Sequence, residues 1–198
     1  MADQKYKVQL LVYDISGGLA KVFSPMLLQK QIDGIWHTGV VVYGKEYYFG
    51  GGICSSLPKQ TPYGIPVNQI DMDETEIPEE VFTEFLRDIS ERFTIEKYCL
   101  FKNNCNNFSD ECLQFLTGKS LPEYIIGLPE EILNTPMGQM LKPMIDNIEE
   151  YPKVKFLSVN TEKIKILQAS LEFRHYPLLL AYMKARFLVF GKELIKLI

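Results

Sequence analysis

Two side chains able to cleave an acyl bond together occur in this chain in settings that fit the task. Cys105 lies in the run Asn103-Asn104-Cys105-Asn106-Asn107-Phe108-Ser109, where a polar turn hands over to a helix. A thiol in the first turn of a helix faces unpaired backbone N–H groups and the positive end of the helix dipole. These pull its ordinary pKa of about 8.5 toward neutrality. The same amides, including that of Cys105 itself, are placed to hold a developing oxyanion. A second reading makes Asn104 only an N-cap and Cys105 a semi-buried filler, and the local sequence leaves the two open. His37 stands far upstream in Gly34-Ile35-Trp36-His37-Thr38. On a strand, Trp36 and Thr38 point away from it, so His37 and Gly39 share one side of the sheet, and a glycine there leaves room for a ligand or an adjacent backbone. The alternative for His37 is a core histidine satisfied by one carbonyl.

The other three cysteines lack such a setting. Cys112 falls on a helical stripe with Phe108 and Phe115, and Cys99 lies between Tyr98 and Leu100, so both read as small buried hydrophobes. Cys54 follows three glycines, with no helix start or neighbouring cation to ionise it. No CxxC pair occurs and the chain has two histidines, which is poor material for a zinc site. No metal or cofactor is expected.

The chain has 198 residues, 46% hydrophobic and 23% charged, enough for one well-buried core. A net charge of -4 argues against a nucleic-acid binder, whose affinity rests on a basic surface. The charge is uneven: residues 151–198 hold nine Lys or Arg against three Glu, which leaves 12 basic and 22 acidic residues in 1–150. We therefore divide the chain into a catalytic domain, 1–150, and a basic C-terminal extension, 151–198. The N-terminal residues lack the apolar stretch and cleavage site of a secretory signal, so a cytoplasmic and nuclear location with reduced thiols is expected.

Residues 7–15 read as a central strand ended by Ser16-Gly17-Gly18, and residues 36–43 as a second, turned at Gly44-Lys45 into 46–49 as a hairpin. Ser24-Pro25 offers a cap and first turn for a short helix running to Ile32. Gly50-Gly51-Gly52 and the stretch to Pro66 read as one long loop. Pro78 opens a helix with Val81, Phe82, Phe85, Leu86, Ile89 and Phe93 on one face, and residues 98–101 are a further short strand candidate. Residues 105–116 form a helix stopped at Thr117-Gly118, and helices begin at Pro129 and, capped by Thr135, at 136–148. The predicted class is α+β, an antiparallel-rich sheet packed against helices.

Five segments occur in order: Gly34-Ile35-Trp36-His37-Thr38, Tyr47-Tyr48-Phe49-Gly50-Gly51-Gly52-Ile53, the asparagine run around Cys105, Phe115-Leu116-Thr117-Gly118 and Leu133-Asn134-Thr135-Pro136-Met137-Gly138-Gln139. The series, spanning residues 7–148, resembles the PPPDE superfamily, in particular its desumoylating isopeptidase type. The resemblance implies a permuted papain-like cysteine protease fold with Cys105 as nucleophile and His37 as general base. It also implies a homodimer with a channel between subunits, and SUMO-conjugated proteins as substrates. No acidic third member is marked, so a dyad is expected. Trp36 and Gly50, Gly51 and Gly52 are candidate walls of a channel that admits glycine, with Asn104 and Asn106 flanking the cysteine; the glycines read equally well as a flexible hairpin exit. The same dyad would serve a thioesterase acting on acylated cysteines, and a non-catalytic binding module is the third class. In the extension, Leu178, Leu179, Met183, Phe187, Phe190 and Leu194 make an apolar helical stripe with lysines elsewhere on the wheel. Packing against the domain is favoured there over membrane contact, and its longest apolar run is too short to span a bilayer.

Overall fold

The computed structural model describes residues 4–140 and 142–143. Its centre is β1, Tyr6–Asp14, in which Val8, Leu10 and Val12 enter the main core while Leu11 and Tyr13 are buried on the opposite face. Burial on both faces explains why this run lacks polar alternation. β2, Trp36–Val42, and β3, Lys45–Phe49, form the expected hairpin. Its turn places Tyr43 and Gly44 at φ 51° and 72°, the left-handed pair that suits the twist of flanking strands. With β4, Ile53–Ser56, and β5, Asn68–Thr75, the sheet has the order β4-β3-β2-β1-β5, and every pairing is antiparallel.

Helices flank this sheet. These are α1, Leu19–Leu28, α2, Glu79–Ser90, α3, Cys105–Thr117, and the short α4, Glu123–Ile126, and α5, Leu128–Leu133. Phe82 and Ile89 of α2 and Phe108, Cys112 and Leu113 of α3 pack with the inward residues of β1, β2 and β3 into one cluster. The helix expected from Thr135 is present over its described part: Thr135 Oγ1 accepts from the Gly138 N–H at 3.0 Å. The chain between β4 and β5, residues 57–67, must pass from one edge of the sheet to the other, and it crosses the face opposite α3. The architecture is α+β as predicted.

Four local expectations are corrected. The helix assigned to start at Ser24-Pro25 begins earlier, with Pro25 inside it. Asp14 fixes that start by accepting from the N–H groups of Ser16 and Gly18 and from Ser16 Oγ. The carbonyl of Lys21, which Pro25 cannot serve, accepts instead from Gln31 Nε2 at 3.2 Å. The loop from Gly50 to Pro66 contains β4, because the Gly50 N–H closes on Gly52 O and turns the chain back along β3. Residues 98–101 are not a strand: the Cys99 N–H closes on Asn103 O in a tight turn. β5 went unread because an edge strand with Asp71, Asp73 and Glu74 facing solvent shows little apolar pattern.

Candidate active site

Asn104 starts α3 with a capping box in which its Oδ1 accepts from the N–H groups of Asn106 at 2.8 Å and Asn107 at 3.2 Å. Asn107 Oδ1 accepts the Asn104 N–H in return, and Asn104 Nδ2 reaches Leu100 O. Cys105 is thus the first residue of a rigid helix, as its sequence setting predicts. The β2–β3 ladder stops at Val40↔Tyr47, so Trp36 to Gly39 carry no β3 partner and the two strands part there. The first turns of α3 occupy the fork. Asn106 Nδ2 donates to Trp36 O at 3.0 Å, Thr38 Oγ1 donates to Asn106 Oδ1 at 3.0 Å, and Ser109 Oγ donates to Thr38 O at 3.2 Å. This clasp brings the Cys105 sulfur against the backbone N–H of Thr38, the residue that follows His37.

His37 projects to the other side of β2, toward the crossover. Its ring stacks on Tyr63 with centroids 3.5 Å apart and planes inclined by 26°, and Tyr13 and Tyr48 close around it at 6.0 and 6.1 Å. Nε2 is buried and makes no hydrogen bond, to Cys105 or to any other described residue. The cysteine Sγ donates instead to Asn106 Oδ1 at 3.8 Å. Cys105 is 7% exposed and His37 2%.

Burial decides the charge state of both. Desolvation lowers the His37 pKa to about 3 and raises that of Cys105 to about 12, although the N–H groups of Thr38, Asn106 and Cys105 oppose the second shift. This corrects the expectation of a thiol pulled toward neutrality: the helix terminus is present, but loss of water outweighs it. At rest the thiol and the imidazole are both neutral.

Residues 6–146 match the family described as the PPPDE putative peptidase domain. The chain belongs to this family. It is similar to Desumoylating isopeptidase 1 of Homo sapiens, 50% identical over 149 residues that cover 74% of this chain and 89% of the relative. It is 46% identical to the Xenopus laevis protein of that name, over 76% of this chain and 90% of the relative. The DeSI-like protein sdu1 of Schizosaccharomyces pombe is more distant, 31% identical over 46% and 50% of the two chains.

Within this PPPDE domain the remaining candidates separate. Asn104 and Asn106 spend their amides on the cap and the clasp, so they build the site from within. Trp36 faces the helices, edge-on to Tyr124 at 5.9 Å, away from His37. Gly50 belongs to the histidine side: a Cβ there would stand 2.9 Å from the Tyr63 hydroxyl. Gly51, at φ 100°, and Gly52 form the β3–β4 turn. The room predicted beside Gly39 is taken by Glu46, onto whose carboxylate a Gly39 side chain would fall. Glu46 is fully enclosed, accepting from Tyr13 OH at 2.8 Å and from the Lys59 N–H at 2.7 Å, and burial holds its pKa above the ordinary carboxylate value.

Of the other cysteines, Cys112 is buried in the core as expected. Cys99 and Cys54 are half-buried, and Cys54 Sγ donates to Gly52 O. The sequence reading missed the aromatic surround of His37. Tyr13 lies opposite His37 in the β1–β2 register, a pairing across α1 that the separate strand assignments did not supply. Tyr63 carried no such signal, since Pro62 and Gly64 mark only a turn.

Proposed function

We propose that this chain is a cysteine isopeptidase that removes SUMO-type modifiers from substrate lysines, with Cys105 as nucleophile and His37 as general base. The observation that carries the reading is the Cys105 thiol, first residue of a capped helix, held at the backbone of the residue next to an imidazole whose Nε2 is buried without a partner. Near 50% identity to desumoylating isopeptidases over most of their length supports the substrate class.

Substrate entry brings the scissile carbonyl and its leaving amine to the fork. His37 Nε2 takes the Cys105 proton as the sulfur attacks the carbonyl of the modifier's terminal glycine, so charge appears only along the reaction coordinate. The cap consumes the N–H groups of Asn106 and Asn107 but not that of Cys105, which is left to donate to the oxyanion. The imidazolium returns its proton to the departing lysine amine, and a thioester joins glycine to Cys105. Water, deprotonated by His37, hydrolyses the thioester and frees the thiol. A homodimer, and work in both cytoplasm and nucleus, belong to the same proposal.

The test is cleavage of a purified SUMO–lysine conjugate. Wild-type protein releases the modifier, while Cys105→Ser and His37→Gln release none above background. Turnover that survives Cys105→Ser overturns the assignment, and turnover of an S-acylated peptide in place of the conjugate moves the substrate to the thioesterase class.

A further inference from the structure

The crossover segment 57–67 has a role that the dyad alone does not require. It is tied to the sheet at both ends of its passage: the Lys59 N–H donates to Glu46 Oε2 at 2.7 Å, and the Val67 N–H donates to Val12 O at 2.8 Å. Between these ties it presents Tyr63 flat against His37, at 3.5 Å between centroids, with Tyr48 perpendicular to the same ring at 5.7 Å. Gly50 yields the space for its hydroxyl end. We infer that Tyr63 is a positioning residue: its ring face fixes the plane of the His37 imidazole and keeps water from it, while leaving the in-plane Nε2 free to accept the thiol proton.

The inference rests on the proposed dyad and adds the residue that orients its base. A stacked partner suits this task better than a hydrogen-bonded one. Contact with a ring face restrains tilt and excludes solvent, yet the nitrogen lone pair lies in the ring plane and stays available. A free imidazole turns about two side-chain bonds, and a misaligned base loses much of the advantage of proximity. The titratable groups packed around His37 are Tyr13 from β1, Tyr48 from β3 and Tyr63 itself, with Glu46 bonded behind Tyr13 and Cys105 within electrostatic reach of Tyr63. Burial raises the pKa of Tyr13 and Tyr63, so these hydroxyls stay neutral wherever the histidine titrates. The pKa of His37 therefore reports on its cover.

The experiment is a proton NMR titration of the full chain, which has two histidines. The His37 resonance is identified by its loss in His37→Gln and followed in wild type, Tyr63→Phe and Tyr63→Ala. Wild type and Tyr63→Phe are expected to show a ring-shifted resonance that stays neutral down to about pH 4. In Tyr63→Ala the ring shift should vanish and the titration should move up by about one unit or more toward the ordinary value. On the SUMO–lysine conjugate, Tyr63→Ala should lose about tenfold, carried by kcat more than KM, and Tyr63→Phe should restore it. Should Tyr63→Ala lose its cooperative unfolding, Tyr63→Val, which keeps an apolar cover without a ring face, is read by the same ring shift. A Tyr63→Ala resonance that titrates as in wild type overturns the inference, as does a Tyr63→Phe resonance that behaves like Tyr63→Ala. Failure of the dyad reading is seen separately, as activity that persists in Cys105→Ser, and leaves the titration result intact.

Discussion

A thiol with a pKa near 12 and an imidazole with a pKa near 3 cannot form a resting ion pair at neutral pH, so Cys105 reactivity in the free protein should lack the neutral plateau of a preformed thiolate. Iodoacetamide alkylation rates should instead climb only under alkaline conditions. A plateau between pH 6 and 8 would show the pair ionised before substrate arrives. The same burial has a stability consequence. Between the unperturbed value of 6.5 and about 3, the unfolded chain binds a proton at His37 and the folded chain does not. Stability is therefore lost as pH falls through that window, at about 1.4 kcal/mol per pH unit from this group. Urea unfolding at pH 6.5 and pH 5 should show wild type losing about 2 kcal/mol more than His37→Gln. Parallel curves would mean that the imidazole is solvated. The sequence made the local settings of these two residues legible, because Asn104 as cap and a histidine on the glycine side of a strand are local signals. Their charge state was not legible, since desolvation comes from Tyr63, Tyr48 and Tyr13, which lie on three separate segments.

At the scale of elements, the site depends on how α3 enters the fork between β2 and β3. Asn106 ties α3 to β2 with both ends of one amide, so Asn106→Ala leaves Trp36 O and Thr38 Oγ1 without their partner in a closed space. The expected loss is about 2–4 kcal/mol, seen as a lower urea midpoint. The variant should also lose turnover, since the thiol is no longer held at the strand. Near-native stability would remove the clasp from the account. Gly39 offers a second check. Its missing side chain makes space for a carboxylate pinned by Tyr13 and Lys59, so Gly39→Ala should cost about 1–3 kcal/mol. α3 itself was readable end to end, from the asparagine cap to Gly118 at φ 69°, because both stops are local. α1 was misread because its start is fixed by Asp14, outside the window in which Ser24-Pro25 looks like a cap. The crossover was seen as a loop, but which face it covers follows only from its long-range contacts, Tyr63 on His37 and Lys59 on Glu46.

Over the whole molecule, the match to the PPPDE domain ends at residue 146, and the described core lies within Tyr6 to Met137. The amphipathic stripe expected in 151–198 lies outside the described residues, as does the rest of that extension. Among the described residues no helix is long and apolar enough to cross a membrane. Because the residues that form the fork, the cap and the aromatic surround all lie between Tyr13 and Ser109, removing residues 151–198 should leave conjugate cleavage within about twofold of the full chain. A larger loss would place part of the working site in the extension. Liposome flotation of both forms checks the membrane alternative, and equal behaviour is expected.

The most direct measurement is covalent capture. A SUMO-type modifier ending in an electrophile at its terminal glycine, incubated with the full chain and mapped by mass spectrometry, should form one adduct, on Cys105. Cys105→Ser should form none and His37→Gln much less. An adduct on Cys54 or Cys99, or capture undiminished in Cys105→Ser, would contradict the proposed nucleophile.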